Sequence, residues 1–202
     1  MRVQQLKDYI FFPSRIFSDH ETVSRIGLTS LRDERIDLCL KYCRGRVLDV
    51  GCDESNLLVR KWENGVGIDV YPWEGVDTVC NTTNVPFRNG GFDTVTIIGA
   101  LGHIPERLKV LQECYCVLKP KGQILVTEIH PVIGFLRHKT AWWDKEYHER
   151  GMKEGEVHGI SERNIRELFE ETGFKYKERV SFVFGLNSLY MERNCPRLRE
   201  RR

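Results

Sequence analysis

The pattern of apolar and polar positions changes near residue 46, where short apolar runs begin to alternate with stretches of helical spacing. The runs that predict strands are RVLDVG at 46–51, GVGIDV at 65–70, VDTVC at 76–80, FDTVTIIG at 92–99 and GQILVTEI at 122–129. Alternating residues within 176–193 predict two closing strands. Strands that are apolar along their whole length are buried on both faces, which is typical of a parallel sheet. The sequence therefore predicts a doubly wound α/β fold with seven, mostly parallel strands.

The helices are predicted from spacing and from the residues that begin and end them. The stretches with helical spacing are SNLLVRKW at 55–62, PERLKVLQECYCVLKP at 105–120 and SERNIRELFEETG at 161–173. Asp53 or Ser55 is the expected N-cap of the first helix, and Pro120 is expected to end the second. Residues 1–44 have only loose helical spacing, which predicts one or two helices that form an N-terminal cap.

Composition and charge describe an ordinary globular protein. Of 202 residues, 41% are apolar and 30% are charged, and the length suits one sizeable domain. The net charge of +2 gives no general support for binding to nucleic acid. Five of the last ten residues are arginine, and we interpret the basic tail at 194–202 as solvated surface, with contact to an anionic partner as the alternative.

Cysteine use and apolar run length bear on the compartment. The seven cysteines form no CxxC pair, and several lie in apolar runs, where a free thiol behaves as a small hydrophobic group. This pattern favours a reducing cytoplasm over a disulfide framework. The chain start lacks the apolar core of a signal peptide and no run reaches membrane-spanning length, so we expect a cytoplasmic protein without membrane contact.

Candidate ligand-binding residues follow the first two predicted strands. The first strand ends in Asp49, Gly51, Cys52 and Asp53, with one glycine where a pyrophosphate-binding loop has several. A ligand without phosphates has no such requirement. The second strand ends in Asp69, 18 residues after Gly51, where an acid accepts hydrogen bonds from a ribose diol. Because ligands of such sheets bind at the carboxyl ends of strands, these residues predict a nucleoside site.

Five ordered segments carry a family resemblance. They are VLDVGC at 47–52, GIDV at 67–70, NVPFRNGGFDTV at 84–95, ECYCVLKPKGQILVTE at 113–128 and HGISERNIRELFEETGF at 158–174. Residues 46–129 in particular resemble the core of class I S-adenosylmethionine-dependent methyltransferases, of the small-molecule type that includes ubiquinone and menaquinone methyltransferases. The resemblance implies a Rossmann-like sheet, S-adenosylmethionine as cofactor, and methyl transfer to a small molecule by in-line displacement.

The resemblance also implies a set of donor-binding residues. They are Asp49, Gly51, Cys52, Asp53, Asp69, Val70, Asn81, Thr82, Ile98 and Gly99. Asp53 and Ser55 stand where the family has glycines, but Asp tolerates a left-handed backbone, so we expect the loop to keep its shape. The Asp53 carboxylate is expected to face the ammonium or sulfonium charge of the donor. Asn81 stands where the family has an acid, and its oxygen is expected to accept a bond from the adenine amino group.

Acceptor-site residues are harder to assign, because methyl transfer requires alignment more than a universal catalytic residue. His103, His130 and His158 are candidates as base or substrate contact, each with a structural role as the alternative. The spacing of the histidines matches no compact metal-binding motif, so no metal is predicted.

The connection at 131–159 is long for a link between a strand and a helix, and we interpret it as a lid over the acceptor. Its Arg137, Trp142, Trp143 and Tyr147 suit an aromatic or acidic acceptor. The alternative is a surface helix with its tryptophans in the core or in a dimer contact. The predicted organisation is a helical cap at 1–44, a methyltransferase domain at 45–193 and the tail.

Two other functions stay open. An RNA or protein methyltransferase calls for a basic or aromatic platform, or for a motif such as Asn-Pro-Pro-Tyr after the fourth strand, where this chain has IIGALG at 97–102. A module that holds the cofactor or a partner without turnover is the other alternative, and the altered glycine loop is the feature that favours it. The oligomeric state is not predicted.

Overall fold

A computed structural model describes residues 3–140 and 154–194, and its centre is a seven-stranded sheet. The strands are β1 (Val47–Val50), β2 (Gly65–Asp69), β3 (Thr78–Val79), β4 (Phe92–Ile98), β5 (Leu118–Ile129), β6 (Phe174–Phe182) and β7 (Asn187–Asn194). Their order is β3-β2-β1-β4-β5-β7-β6, and β7 alone runs antiparallel to its neighbours. The predicted doubly wound, mostly parallel α/β fold is confirmed.

Helices cover both faces of the sheet. They are α1 (Val3–Ile10), α2 (Phe12–Phe17), α3 (His20–Arg25), α4 (Leu31–Tyr42), α5 (Leu57–Trp62), α6 (Arg107–Val117), α7 (Pro131–Thr140) and α8 (Glu162–Thr172). On one face, Ile36 of α4 and Leu58 of α5 pack against Leu125 of β5. On the other face, Leu111 of α6 and Phe169 of α8 are part of the larger core cluster. The two layers hold the carboxyl ends of the strands at one edge.

The prediction of one or two helices in residues 1–44 is wrong, because this region forms four short helices. Asp19 caps α3 by accepting a hydrogen bond from the Thr22 amide, and Ser30 caps α4 by accepting one from the Asp33 amide. Gly27 lies between them with a left-handed φ of 72°. Stop and start residues spaced this closely break the region into short pieces.

Helix α1 docks on the rest of the protein through its polar face. The Asp8 carboxylate accepts hydrogen bonds from the Thr29 amide and hydroxyl, both at 2.8 Å, and from Gln4 at 3.2 Å. The apolar face of α1 stays exposed instead, with Val3 74% and Ile10 59% accessible. Polar contacts therefore hold this helix in place.

Two further boundaries differ from the predictions. Helix α6 ends at Val117, before Pro120, which lies in β5 where the pairing with β4 shifts register. Strand β3 has two residues rather than five. The paired closing strands are confirmed as β6 and β7. Proline lacks an amide donor, and the irregular part of an otherwise regular strand is where it is tolerated.

The described part of the chain contains six cysteines, and all six are free thiols: Cys39, Cys43, Cys52, Cys80, Cys114 and Cys116. Within residues 3–140 and 154–194, no helix is long and apolar enough to cross a membrane.

The ends of β1 and β4 approach each other closely, at the point where the strand order reverses. Gly51 follows β1 with a left-handed φ of 74°, and its amide donates to the Ile68 carbonyl at 2.8 Å. A Cβ atom on Gly51 would lie 2.7 Å from the Cβ of Ala100, which is closer than carbon atoms pack. Glycine at this position therefore brings the two strand ends together and shapes the crevice between them.

Three carboxyl groups are buried on the central strands. Burial raises the pKa of Asp49 on β1, Glu128 on β5 and Glu192 on β7 to about 7 in each case. The hydrogen bond from Thr96 to Asp49 opposes the rise, and so do the Arg35 charge at Glu128 and the Arg166 charge at Glu192. The raised pKa shows that burial outweighs these favourable contacts.

Replacing Gly51 by Ala is expected to destabilise the protein more than the same change at Gly27, which has a φ of 72° and open space around it. Both changes strain the backbone by about 1–2 kcal/mol, but only the first also brings two Cβ atoms together. Urea denaturation measures the difference, and the double variant Gly51→Ala/Ala100→Gly should recover it. Equal losses at the two glycines would contradict the close-contact explanation.

The free energy of unfolding is expected to fall as the pH rises from about 4.5 to about 7. In this window the three buried carboxyl groups keep their protons in the folded state and lose them in the unfolded state. Thermal unfolding at pH 5.5 and pH 8 checks this, with a higher melting temperature at pH 5.5. Glu128→Gln should reduce the difference, whereas Glu178→Gln on exposed β6 should not. A higher melting temperature at pH 8 would rule the explanation out.

Candidate active site

The loop after β1 is a tight turn built on side-chain contacts. Gly51, Asp53 and Asn56 all have left-handed backbones, with φ of 74°, 56° and 44°. The Ser55 amide and hydroxyl both donate to the Asp53 carboxylate at 2.6 Å. The loop therefore turns sharply with one glycine, because Asp53 adopts the left-handed conformation that was expected of it. The predicted N-cap role of Asp53 or Ser55 is wrong, because the residue before α5 is Asn56. Ser55 donates its hydrogen bonds to Asp53 instead of capping the helix.

Asn56, which sequence analysis missed, ties this loop to β2 and the segment after it. Its buried side-chain amide donates to the Gly75 carbonyl at 3.1 Å and to the Asp77 carboxylate at 2.9 Å. Asp77 in turn accepts the Gly67 amide at 2.7 Å. A Cβ on Gly67 would meet the Asn56 amide oxygen at 2.1 Å, so glycine leaves room for this side chain.

Asp69 lies between the loops after β1 and β2, as the sequence predicted. Its carboxylate accepts the Tyr71 amide at 2.9 Å and the Asp53 amide at 3.4 Å. These bonds hold the acid at the end of β2, on the edge of the sheet that contains Gly51.

Negative charge dominates this end of the crevice. Burial raises the pKa of the Cys52 thiol first, and then the charges of Asp49, Asp69, Asp53 and Asp77 raise it further. Such a concentration of carboxylates suits a ligand with positive charge. Asp49 itself is buried and accepts a 2.6 Å hydrogen bond from the Thr96 hydroxyl. Asp49 therefore joins β1 to β4 behind the loop.

The remaining candidates after β2 and β3 differ in exposure. Val70 and Asn81 are exposed and Thr82 is buried. The Asn81 side-chain oxygen accepts the Thr83 amide at 2.9 Å and the Thr83 hydroxyl at 2.8 Å. Both of its lone pairs are therefore used within the turn, and acceptance of a bond from adenine requires that turn to rearrange.

At the end of β4, Ile98 is half-buried and packs toward α4 and α5. The buried side chain of Arg35 lies against Gly99, the next residue. A Cβ on Gly99 would lie 2.4 Å from Arg35 Nη1, and Gly99 has a left-handed φ of 66°. The Gly99 amide donates to the Thr127 carbonyl at 3.0 Å. The guanidinium of an N-terminal helix therefore lies at the reversal point of the sheet.

Glu128 and Arg107 hold the turn that follows β4. The buried Glu128 carboxylate accepts the Gly102 amide at 3.1 Å and the backbone amide of Ile160. The Arg107 guanidinium donates to the carbonyls of Gly102 at 2.9 Å and of Gly155 at 2.7 Å. The segment at 154–160 is thereby fixed beside the carboxyl ends of β4 and β5.

The structure brings two of the three candidate histidines together and leaves the third apart. His138 of α7 lies between them: its ring centroid is 6.2 Å from that of His103 and 4.2 Å from that of His158. His103 Nδ1 is 3.8 Å from a carboxylate oxygen of buried Glu156. His130 is exposed, and its amide donates to the Leu186 carbonyl at 2.9 Å. A proton-accepting role for any of them stays a prediction.

The predicted lid is described in part. Its first ten residues form α7, where a Cβ on Gly134 would meet the His158 carbonyl oxygen at 1.9 Å. The Val157 amide donates to the Gly102 carbonyl at 2.9 Å. Trp142, Trp143 and Tyr147 lie outside the described residues. Arg137 of α7 is close enough to Arg35 that its charge lowers the Arg35 pKa, although burial is the larger cause.

Besides Asn56, sequence analysis missed three buried polar residues of this site: Arg35, Glu128 and Asn187. A signal existed for the first, because Arg35 is spaced four residues from Leu31 and from Cys39 on the buried side of α4. Glu128 is the acid within the apolar run of β5. No local signal identifies Asn187, which reaches the site through the antiparallel pairing of β7 with β5.

Comparison with known proteins agrees with this site. The sequence profile of a methyltransferase domain matches residues 23–178. A demethylmenaquinone methyltransferase from Geobacillus sp. is 27% identical over 125 residues, which are 55% of this chain and 53% of that protein. One from Listeria welshimeri is 29% identical over 129 residues, covering 54% and 52%. The chain therefore spans about half the length of the curated relatives it matches.

Solved structures share the fold at low identity. The PH0226 protein from Pyrococcus horikoshii matches with a TM-score of 0.63 and 20% identity, covering 93% of this chain and 98% of that one. A SAM-dependent methyltransferase from Aquifex aeolicus matches with a TM-score of 0.58 and 14% identity, covering 87% and 98%. With its profile match, its sheet order and its acid-rich crevice, the chain belongs to the methyltransferase-domain family, within the class I S-adenosylmethionine-dependent methyltransferases.

Proposed function

We propose that the protein transfers the methyl group of S-adenosylmethionine to a small-molecule acceptor held over the carboxyl ends of β4 and β5. The observation that carries the proposal is the group of carboxylates at the ends of β1 and β2, beside a crevice shaped by Gly51. S-adenosylmethionine, the cofactor of this class, supplies a methyl group already activated on a positively charged sulfur. The chain's own residues have to bind, orient and shield the reactants.

The residues present fit this cofactor. The Asp69 carboxylate lies at the end of β2, where an acid receives the ribose hydroxyls. The charges of Asp53 and Asp69 favour a sulfonium and an ammonium group. The cofactor has no phosphate, so a loop with one glycine is sufficient. Gly51 leaves room for the Ala100 side chain at the reversal point, and Gly99 leaves room for the Arg35 guanidinium.

A small acceptor is supported by the elements around the crevice. Helix α7 and the segment at 154–160 contact each other at Gly134 and His158, and Val157 is bonded to the turn after β4. These contacts support an acceptor position between α7, the segment at 154–160 and the carboxyl ends of β4 and β5. The curated relatives are named as methyltransferases of demethylmenaquinone, a small molecule with an aromatic ring. The sequence IIGALG after β4 gives no support for a nucleic-acid base as acceptor.

The proposed residues act by positioning. An in-line displacement is accelerated when nucleophile, methyl carbon and sulfur are held in line and water is excluded. Glu128 and Arg107 hold the turn after β4 in place, and this turn adjoins the proposed position of the acceptor. A reducing compartment such as the cytoplasm is consistent with the six free thiols of the described residues.

The proposal is tested in two steps. Isothermal titration calorimetry with S-adenosylmethionine and S-adenosylhomocysteine measures donor binding. Transfer of a labelled methyl group is then measured with a panel of small phenols and quinols that includes demethylmenaquinol, and with bulk RNA and protein as separate samples. Transfer to a small molecule supports the proposal. Transfer to RNA or protein alone, or donor binding without any transfer, contradicts it.

Replacing Asp69 by Asn is expected to weaken S-adenosylhomocysteine binding at least tenfold. The amide oxygen of Asn can still accept the Tyr71 amide, so the turn is retained while the charge-assisted bonds to the ribose are lost. Such bonds contribute about 1.5–3 kcal/mol each, and about 1.4 kcal/mol corresponds to tenfold. Calorimetry at constant ionic strength makes the measurement.

Glu74→Gln is the matched control, because Glu74 is an exposed acid in the segment after β2. It removes one negative charge without touching the proposed ribose site, and binding should stay within twofold of wild type. If Asp69→Asn and Glu74→Gln have equal effects, general charge rather than a specific contact explains the binding.

A further inference from the structure

The buried guanidinium of Arg35 has little within the protein to balance it. Arg35 is 9% exposed. Among residues 3–140 and 154–194, its hydrogen bonding consists of one 3.4 Å contact from Nε to the Asn187 side-chain oxygen, and it forms no ion pair. A guanidinium has five N–H donors and loses substantial solvation on burial. A fold that keeps such a group buried without an ion pair leaves donors for a ligand.

The charges nearest to Arg35 do not neutralise it. Burial and, to a smaller extent, the positive charge of Arg137 lower the Arg35 pKa to about 10, although the charge of Glu128 acts in the other direction. The Glu128 carboxylate, however, already accepts the amides of Gly102 and Ile160. Among the described residues, Arg35 therefore has no carboxylate of its own, in contrast to the acid-rich end near Cys52.

Two other buried groups beside Arg35 have unused polar atoms. Asn187 is 1% exposed and its side-chain nitrogen has no hydrogen-bond partner among the residues the structure describes. The hydroxyl of Thr127, which is fully buried, likewise has none within that part of the chain. Thr127 and Asn187 lie on the sheet face covered by α4, because Leu125 and Leu189, two residues away on the same strands, pack against that helix.

We propose that Arg35, with the side-chain nitrogen of Asn187, forms a subsite for a carboxylate at the reversal point of the sheet. Every unused atom there is a hydrogen-bond donor, and a planar guanidinium matches a carboxylate with two parallel hydrogen bonds. The Arg35 guanidinium reaches the site because Gly99 has no side chain. The inference rests on the proposed function. It adds the chemical class of the ligand group, a carboxylate, that binds at this end of the crevice.

A carboxylate at this position has two sources, and both are consistent with the charge. One is the α-carboxylate of the methyl donor, whose positively charged groups would then face the acid-rich end. The other is an acidic group on the acceptor. Either ligand provides a negative charge beside the Arg35 guanidinium. The two are distinguished by whether binding of the donor or binding of the acceptor depends on Arg35.

The test compares Arg35→Met with Lys41→Met, a control that removes an exposed positive charge from the last turn of the same helix. Calorimetry with S-adenosylhomocysteine and with 5′-methylthioadenosine, which lacks the amino-acid portion, measures the donor arm. Titration of benzoate into protein saturated with S-adenosylhomocysteine measures the acceptor arm. If the donor supplies the carboxylate, Arg35→Met weakens S-adenosylhomocysteine at least tenfold and leaves methylthioadenosine within twofold.

If the acceptor supplies it, both nucleosides bind normally and benzoate binding falls at least tenfold. Asn187→Leu should give a smaller loss in the same arm, and it serves as a second variant if Arg35→Met does not fold. Because the substitution removes a buried charge, the melting temperature of Arg35→Met should not fall below that of wild type.

The subsite proposal is contradicted if Arg35→Met and Lys41→Met are both folded and have equal affinities for S-adenosylhomocysteine and for benzoate. It is also contradicted by a loss in methylthioadenosine binding as large as that in S-adenosylhomocysteine binding with benzoate unaffected, because the role of Arg35 is then to support the fold of the crevice. A wild-type protein that binds neither nucleoside contradicts the proposed function itself, and the subsite with it.

Discussion

The close approach of β1 and β4 is the constraint on which the rest of the site depends. Parallel strands that diverge at a reversal point leave a crevice between their ends, and its width is set by the residues that follow each strand. Here Gly51 and Gly99 lack side chains, so Ala100 lies against the first and the Arg35 guanidinium against the second. The loop after β1, to which the Asp69 carboxylate is bonded, and the Arg35 guanidinium take their positions from these two close contacts.

The charge distribution along the crevice follows from chain topology. Carboxylates come from the loops after β1 and β2, whereas Arg35 and Arg137 come from α4 and α7, which lie over the other half of the sheet. The two kinds of charge are contributed by distant parts of the chain and meet at one edge. A ligand with separated positive and negative groups matches such an arrangement better than a ligand of one sign.

The strands could be predicted well from the sequence because burial on both faces makes them continuously apolar. The helices were harder to delimit: α4 carries Arg35 on its buried side, and a pattern of apolar positions does not register a buried charge. In the site, Asp53, Gly51 and Asp69 follow directly from strand ends and backbone preferences. Asn56, Glu128 and Asn187 depend on contacts between residues far apart in sequence, which local patterns do not contain.

The docking of α1 through Asp8 gives this helix a different response to denaturant from the rest of the fold. Undocking this helix breaks hydrogen bonds to Thr29 but uncovers little apolar surface, since Val3 and Ile10 already face water. Opening of α1 alone is therefore expected to depend weakly on denaturant, whereas unfolding of the sheet, together with the helices packed on it, depends on it strongly.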